Sequence, residues 1–135
     1  MMEHIKVTRY LVAITLFIVP AAAKAVGYEC NFTRYCVEER SCQPSGLTLH
    51  IRPRAEASAP DQWEMETGGA ATARTIPVRQ IRDPLGDSHS YVSGMEYDTI
   101  HLVSIFKRGI TRYSMHNSVE GIQSQNFHGT CKVAP

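Results

Sequence analysis

After residue 25 the chain carries five histidines: His50, His89, His101, His116 and His128. Imidazole is the side chain best suited to ligate a metal or move a proton near neutral pH. His101 and His116 stand on either side of Lys107-Arg108-Gly109, which reads as a hairpin turn. A two-residue turn at Arg108-Gly109 sets Lys107 opposite Ile110 and His101 opposite His116, close enough to share a metal ion. A three-residue turn, with Gly109 as a bulge residue, pairs Phe106 with Ile110 and sets His101 opposite Met115. Both registers stay open. No further ligand accompanies the pair, and a metal needs more than two convergent donors, so neither a metal nor another cofactor is expected.

The other reactive types are no better organised. Glu64 and Glu66 share one face of a strand and resemble a hydrolase pair, but paired acids on an exposed strand face ordinarily serve solvation. The serines include no G-x-S-x-G elbow. No Gly-rich loop joins a strand to a helix, so there is no phosphate cradle. The expectation is a domain without catalysis, and an enzyme built around His101 and His116 is the weakest of the readings.

All four cysteines, Cys30, Cys36, Cys42 and Cys131, follow residue 25. An even count in a short exported chain reads as a disulfide framework. Several pairings satisfy the count. The favoured one joins Cys36 to Cys42 in a tight local loop and Cys30 to Cys131, first strand to last. The C-x5-C-x5-C spacing lacks the C-x2-C knuckles of structural zinc sites. The C-x-x-C motif of thioredoxin-like redox proteins is absent.

Residues 1–25 read as a cleavable signal peptide. Lys6 and Arg9 precede an uncharged apolar run from Tyr10 to Val19, Pro20 breaks it, and Ala23 and Ala25 supply the small-x-small cleavage pattern. The run is about half of the roughly 20 apolar residues needed to span a bilayer. Val26-Gly27-Tyr28-Glu29 before Cys30 is a poor lipobox. The expected product is residues 26–135, one soluble periplasmic or secreted domain with no membrane insertion after cleavage. The chain has 14 basic and 13 acidic side chains. Lys6, Arg9, Lys24 and Glu3 leave with the leader, so the mature part holds one more acid than base. That balance gives no basic field for nucleic acid. Asn31-Phe32-Thr33 is a glycosylation sequon, silent in a bacterial source.

The elements that must position these residues are strands. Tyr28, Cys30 and Phe32 share a face of the first. Cys36 to Gly46 reads as a loop. Leu47, Leu49 and Ile51 alternate with Thr48 and His50, and Trp63 and Met65 with Glu64 and Glu66. A fourth strand covers Thr72 to Arg79, with Pro77 marking an edge or bulge. Asp83 to Asp87 is a turn. Thr99 to Phe106 and Ile110 to His116 form an antiparallel pair. A last strand runs from Gln123 to Val133, where Gly129 signals a bulge or close packing. About seven or eight strands without a helix predict an all-β domain, either a small antiparallel β-barrel or a β-sandwich, with two disulfides.

Several pieces resemble the bacterial envelope family of β-barrel inhibitors of c-type lysozyme. Tyr28-Glu29-Cys30 is similar to their Y-x-C opening, and Ser93-Gly94-Met95-Glu96-Tyr97 to their S-G-x-x-Y loop. Lys107-Arg108-Gly109 is similar to their K-G turn, with Arg108 intervening and Phe106 where the family has tryptophan. Cys131 stands where their closing cysteine does. The resemblance implies a first-to-last disulfide and a lysozyme partner. It implies that Ser93 enters the lysozyme cleft, Gly94 permits the tight loop, Tyr97 packs beneath it and Lys107 is the turn cation. The stretch from Thr111-Arg112-Tyr113-Ser114 to Gly129-Thr130-Cys131 also resembles small exported proteins of alphaproteobacteria with no assigned activity. The leading expectation is therefore an exported binding domain, with lysozyme inhibition as its sharpest form. The alternative is a barrel holding a small apolar ligand among Trp63, Met115 and Phe127.

Overall fold

Period-two alternation of apolar and polar side chains carries through to the three-dimensional arrangement. The computed structural model describes residues 26–38, 40–68, 73–118 and 123–134. The expected leader, 1–25, lies outside the described residues, as do Gly69 and Thr72. The strands are β1 (Tyr28–Val37), β2 (Gln43–Pro44), β3 (Thr48–Pro53), β4 (Gln62–Thr67), β5 (Arg74–Arg82), β6 (His89–Ser93), β7 (Thr99–Ile105), β8 (Ile110–Asn117) and β9 (Gln123–Val133). All pairings are antiparallel. Sheet order is β2-β1-β3-β4-β5-β6-β7-β8-β9, and β9 pairs back onto β1. That last pairing closes eight strands into a barrel and settles the choice against a sandwich. Closure removes the open edges that a free sheet presents. The short β2 lies outside the ring, on the far half of β1, at Arg34–Pro44 and Tyr35–Gln43.

Inward positions are those the alternation marks. Cys30, Phe32, Leu49, Ile51, Trp63, Met65, Ile76, Val78, Tyr91, Val103, Ile105 and Tyr113 are buried in one cluster. Each large apolar side chain removed from water contributes about 1.5–3 kcal/mol. The rings form two groups. Trp63 packs on Tyr91 at 5.1 Å between centroids, and Tyr91 on Tyr28 at 6.2 Å. Toward the other end Phe127 stacks on Tyr113 at 5.3 Å and on Tyr35 at 5.7 Å. The Trp63 indole N–H donates to the Pro60 carbonyl at 3.3 Å, so its polar edge is satisfied away from the barrel interior.

The seam between β1 and β9 explains two sequence signals. Cys30 faces Cys131 in register, and they form a disulfide whose residues are 101 apart in sequence. Cys36 bonds Cys42. Both bonds are those the spacing favoured. Gly129 opposes Phe32, and a Cβ there would collide with the Asn31 carbonyl oxygen and stand 2.7 Å from the Phe32 Cα. Only glycine allows strand backbones so near. Beside it Thr33 is an extra residue, because Phe32 pairs with Gly129 and Arg34 with His128.

Some local expectations change. The loop expected from Cys36 to Gly46 starts later, because β1 runs to Val37, and it contains β2. Pro77 lies within β5, a strand of a closed ring, and faces outward. It sits just beyond the last β5–β6 pair, Val78–Ser93, where only β4 is a sheet neighbour. β6 itself emerges from a stretch left unassigned by alternation. The hairpin at Lys107-Arg108-Gly109 takes the three-residue form, since Ile105 pairs with Thr111 and the Phe106 N–H donates to the Ile110 carbonyl at 2.8 Å. Arg108 (φ 60°) and Gly109 (φ 75°) are both left-handed. A Cβ at Gly109 would run into the Cys131 carbonyl oxygen, which ties the turn to β9.

Candidate functional site

The hairpin register decides the fate of the histidine pair. His101 opposes Met115, while His116 opposes Ile100. His101 is buried inside the barrel and His116 is exposed outside it, so they share no site. Among the described residues no three His, Cys, Asp or Glu side chains are grouped to hold a metal. The Glu64–Glu66 pair is also accounted for. Arg52, on the neighbouring β3, lies between them, its Nε on Glu64 and its Nη2 3.5 Å from Glu66.

What His101 does meet is Tyr113. Its Nδ1 lies 2.7 Å from the Tyr113 hydroxyl, and the two rings stack at 6.0 Å. They form the polar floor of a cavity of about 370 Å³ at the end of the barrel where β7 begins. Leu47, Ile76, Met115 and Phe127 supply apolar wall. Arg74, Glu96 and Tyr97 stand at its mouth. Burial holds the His101 imidazole below its ordinary range, with the Glu96 carboxylate opposing that shift. Burial likewise pushes the Tyr113 hydroxyl well above its usual range. Both groups are neutral at physiological pH, so the floor offers hydrogen bonding without charge. Of the three residues expected around a ligand, Met115 and Phe127 line this cavity. Trp63 does not, being packed on Tyr91 toward the opposite end.

The segment resembling the inhibitor loop borders the same mouth. Ser93 is the last residue of β6 and is buried at 7% exposure. Its hydroxyl accepts the His101 backbone N–H at 2.9 Å and donates to the Gly94 carbonyl at 2.6 Å. The β6–β7 pairing ends at Val92–Leu102, so the Ser93 side chain satisfies the first N–H beyond the ladder. Ser93 is thus part of the wall, not the tip of a loop. Gly94 is exposed. Glu96 and Thr99 exchange backbone hydrogen bonds around Tyr97 (φ 49°) and Asp98 (φ 59°). Two successive left-handed residues define a tight hairpin turn. Tyr97 is 77% exposed instead of packed beneath Ser93, and its ring lies 5.5 Å from the Arg74 guanidinium carbon. Lys107 pairs with Asp87 at 2.6 Å, at the other end of β7. The fold therefore brings Ser93, Gly94 and Tyr97 to one end of the barrel and Lys107 to the other.

The His101–Tyr113 contact follows from a register that the turn residues do not announce. The available signal was the period-two set His101, Val103, Ile105 facing Thr111, Tyr113, Met115. The architecture defines a class: a closed eight-stranded antiparallel barrel with a disulfide across its closing seam and a cavity at one end. Comparison with family models, with curated proteins and with solved structures finds no match to the chain.

Proposed function

We propose that this chain is an exported, non-enzymatic binding protein that holds a small, largely apolar molecule in the mouth of its barrel. The observation that carries this reading is the cavity of about 370 Å³ with apolar walls over the neutral His101–Tyr113 pair. Its size falls within the roughly 300–1,000 Å³ of small-molecule sites, and a few fixed polar groups in an apolar pocket are what orient a ligand. The ligand presents one uncharged hydrogen-bonding group, a hydroxyl or carbonyl, to the floor. Periplasmic or secreted location is supported by the signal-like residues 1–25 and by two disulfides, which persist in oxidising compartments. Among the described residues no helix is long and apolar enough to cross a membrane.

Titration with a neutral polycyclic fluorophore tests the site. The purified protein is expected to bind it saturably, and Met115→Trp is expected to weaken binding about tenfold or more by filling the mouth. His101→Leu is expected to spare a purely apolar probe but weaken a hydroxyl-bearing analogue by about tenfold. Binding of that analogue should also fall as the pH drops and His101 gains a proton. Equal affinity in all three proteins, or no saturable binding, removes the reading.

Inhibition of a c-type lysozyme is a second reading, favoured by the exposed Tyr97 ring on its left-handed turn. Because the Ser93 hydroxyl is already engaged, Tyr97 would carry the contact. Purified protein should then slow cell-wall lysis by the lysozyme, and Tyr97→Ala should relieve it. Unchanged lysis at micromolar protein rejects this second reading and leaves the cavity intact.

A further inference from the structure

The outer wall is electrically uneven. On β3 and β4, Arg52 sits between Glu64 and Glu66. By contrast β7, β8 and β9 contain no Asp or Glu. The one carboxylate of β1, Glu29, is bound by Lys132 at 3.1 Å. Across this wall three basic residues stand in one row: Arg34 on β1 opposes His128 on β9, which opposes Arg112 on β8. Side chains opposed in this way are about 5 Å apart. Their sequence neighbours Tyr113 and Phe127 point inward, so the row faces out. No carboxylate among the described residues pairs with Arg34 or Arg112. The two guanidinium charges flank His128 from neighbouring strands, which disfavours a further positive charge on the imidazole between them.

The bulge at Thr33 creates the row. Without the extra residue, Thr33 would oppose His128 and Arg34 would oppose Phe127, pointing into the barrel. With it, the Arg34 side chain is re-aimed outward, a known use of bulges beside functional sites. Next to it is a shallow depression of about 360 Å³ lined by Thr33, Arg34, His128, Gly129 and Thr130. The Thr33 and Thr130 side chains make no hydrogen bond within the described residues, so both hydroxyls are available as donors.

We propose that this depression binds a tetrahedral oxyanion, a phosphate or sulfate group, held by Arg34 and His128 from its lining and by Arg112, which adjoins it across His128. Guanidinium groups match the geometry of such oxyanions through paired N–H donors, and charge-assisted bonds are about twice as strong as neutral ones. The site lies on the outer wall, and its lining shares no residue with that of the mouth cavity. The His128 imidazole sits below its ordinary range through desolvation first, then the Arg34 and Arg112 charges. An anion between those charges raises it again.

The test is an NMR titration of the disulfide-bonded protein with inorganic phosphate, at fixed ionic strength set by chloride. Saturable shifts at Arg34, Arg112 and His128 are expected, and His128 should titrate at higher pH when phosphate is present. Arg34→Gln and Arg112→Gln, both at exposed positions, should each weaken binding by about tenfold or more and abolish the phosphate-dependent rise at His128. Shifts that never saturate, or an affinity that neither substitution changes, overturn the site. A second arm compares vesicles of phosphatidic acid with vesicles of phosphatidylcholine. Sedimentation with the phosphatidic acid vesicles alone assigns a lipid-borne phosphate. Binding of inorganic phosphate without sedimentation assigns a soluble or sugar-borne group. Either result upholds the oxyanion site.

Discussion

Replacing Cys30 and Cys131 together by alanine is expected to cost about 4–5 kcal/mol, whereas Cys36→Ala with Cys42→Ala should cost about 2 kcal/mol. The difference comes from loop length: the first bond closes a separation of 101 residues and the second a separation of 6. Entropy removed from the unfolded chain grows with the logarithm of that length. Location adds to the contrast. Cys30–Cys131 crosses the seam where the first strand of the barrel pairs with the last, and Cys30 is wholly buried there. Cys42 lies exposed on the loop outside the ring. Domains of this size have a total stability of about 5–15 kcal/mol, so losing the seam bond leaves little margin. Urea unfolding of the two double variants measures the difference. Equal losses, or a larger loss from the Cys36–Cys42 pair, would refute the account of the seam.

The barrel was largely legible because its strands bury one face. Leu47, Leu49 and Ile51, then Trp63 and Met65, alternate with polar residues, and their registers follow from that pattern. β6 was not legible. His89-Ser90-Tyr91-Val92-Ser93 places polar residues on both faces, so periodicity has no side to mark. β2 is only two residues long and exposed. The hairpin register depended on Arg108 adopting a left-handed conformation, which arginine does not advertise as glycine or asparagine does. From that one ambiguity followed the candidate site. The shorter turn joins His101 to His116, and the observed one delivers His101 to Tyr113.

Polar groups that looked like surface chemistry in sequence are used in three different ways. Ser93 completes the backbone hydrogen bonding where β6 stops. His101 and Tyr113 are buried together and kept neutral, which suits an uncharged ligand group. Arg34, His128 and Arg112 are turned outward, with no carboxylate among the described residues paired to either arginine, which suits an anion. Only strand register and one bulge separate these outcomes, since all three groups lie on neighbouring strands of the same wall. Residue type alone could not assign them.

Gly129→Ala is expected to destabilise the protein by about 3 kcal/mol, at the upper end of what overpacking costs. The added carbon meets backbone, the Asn31 carbonyl oxygen and the Phe32 Cα, and neither can rotate away as a side chain could. Relief requires β1 and β9 to separate where they close the barrel. Gly94→Ala is the control, because a Cβ there has nothing within 4 Å. It should change stability by less than about 0.5 kcal/mol. In thermal unfolding the first variant should melt more than about 10 °C below the parent and the second close to it. The consequence extends to both candidate sites. Phe32 packs against Tyr113 at 5.8 Å, beneath the mouth cavity, and Gly129 lines the outer depression beside Arg34. A seam forced apart should therefore weaken the neutral fluorophore and inorganic phosphate together, although no group that contacts either is removed. If Gly129→Ala melts with the parent, the close approach of the two strands is not required for closure.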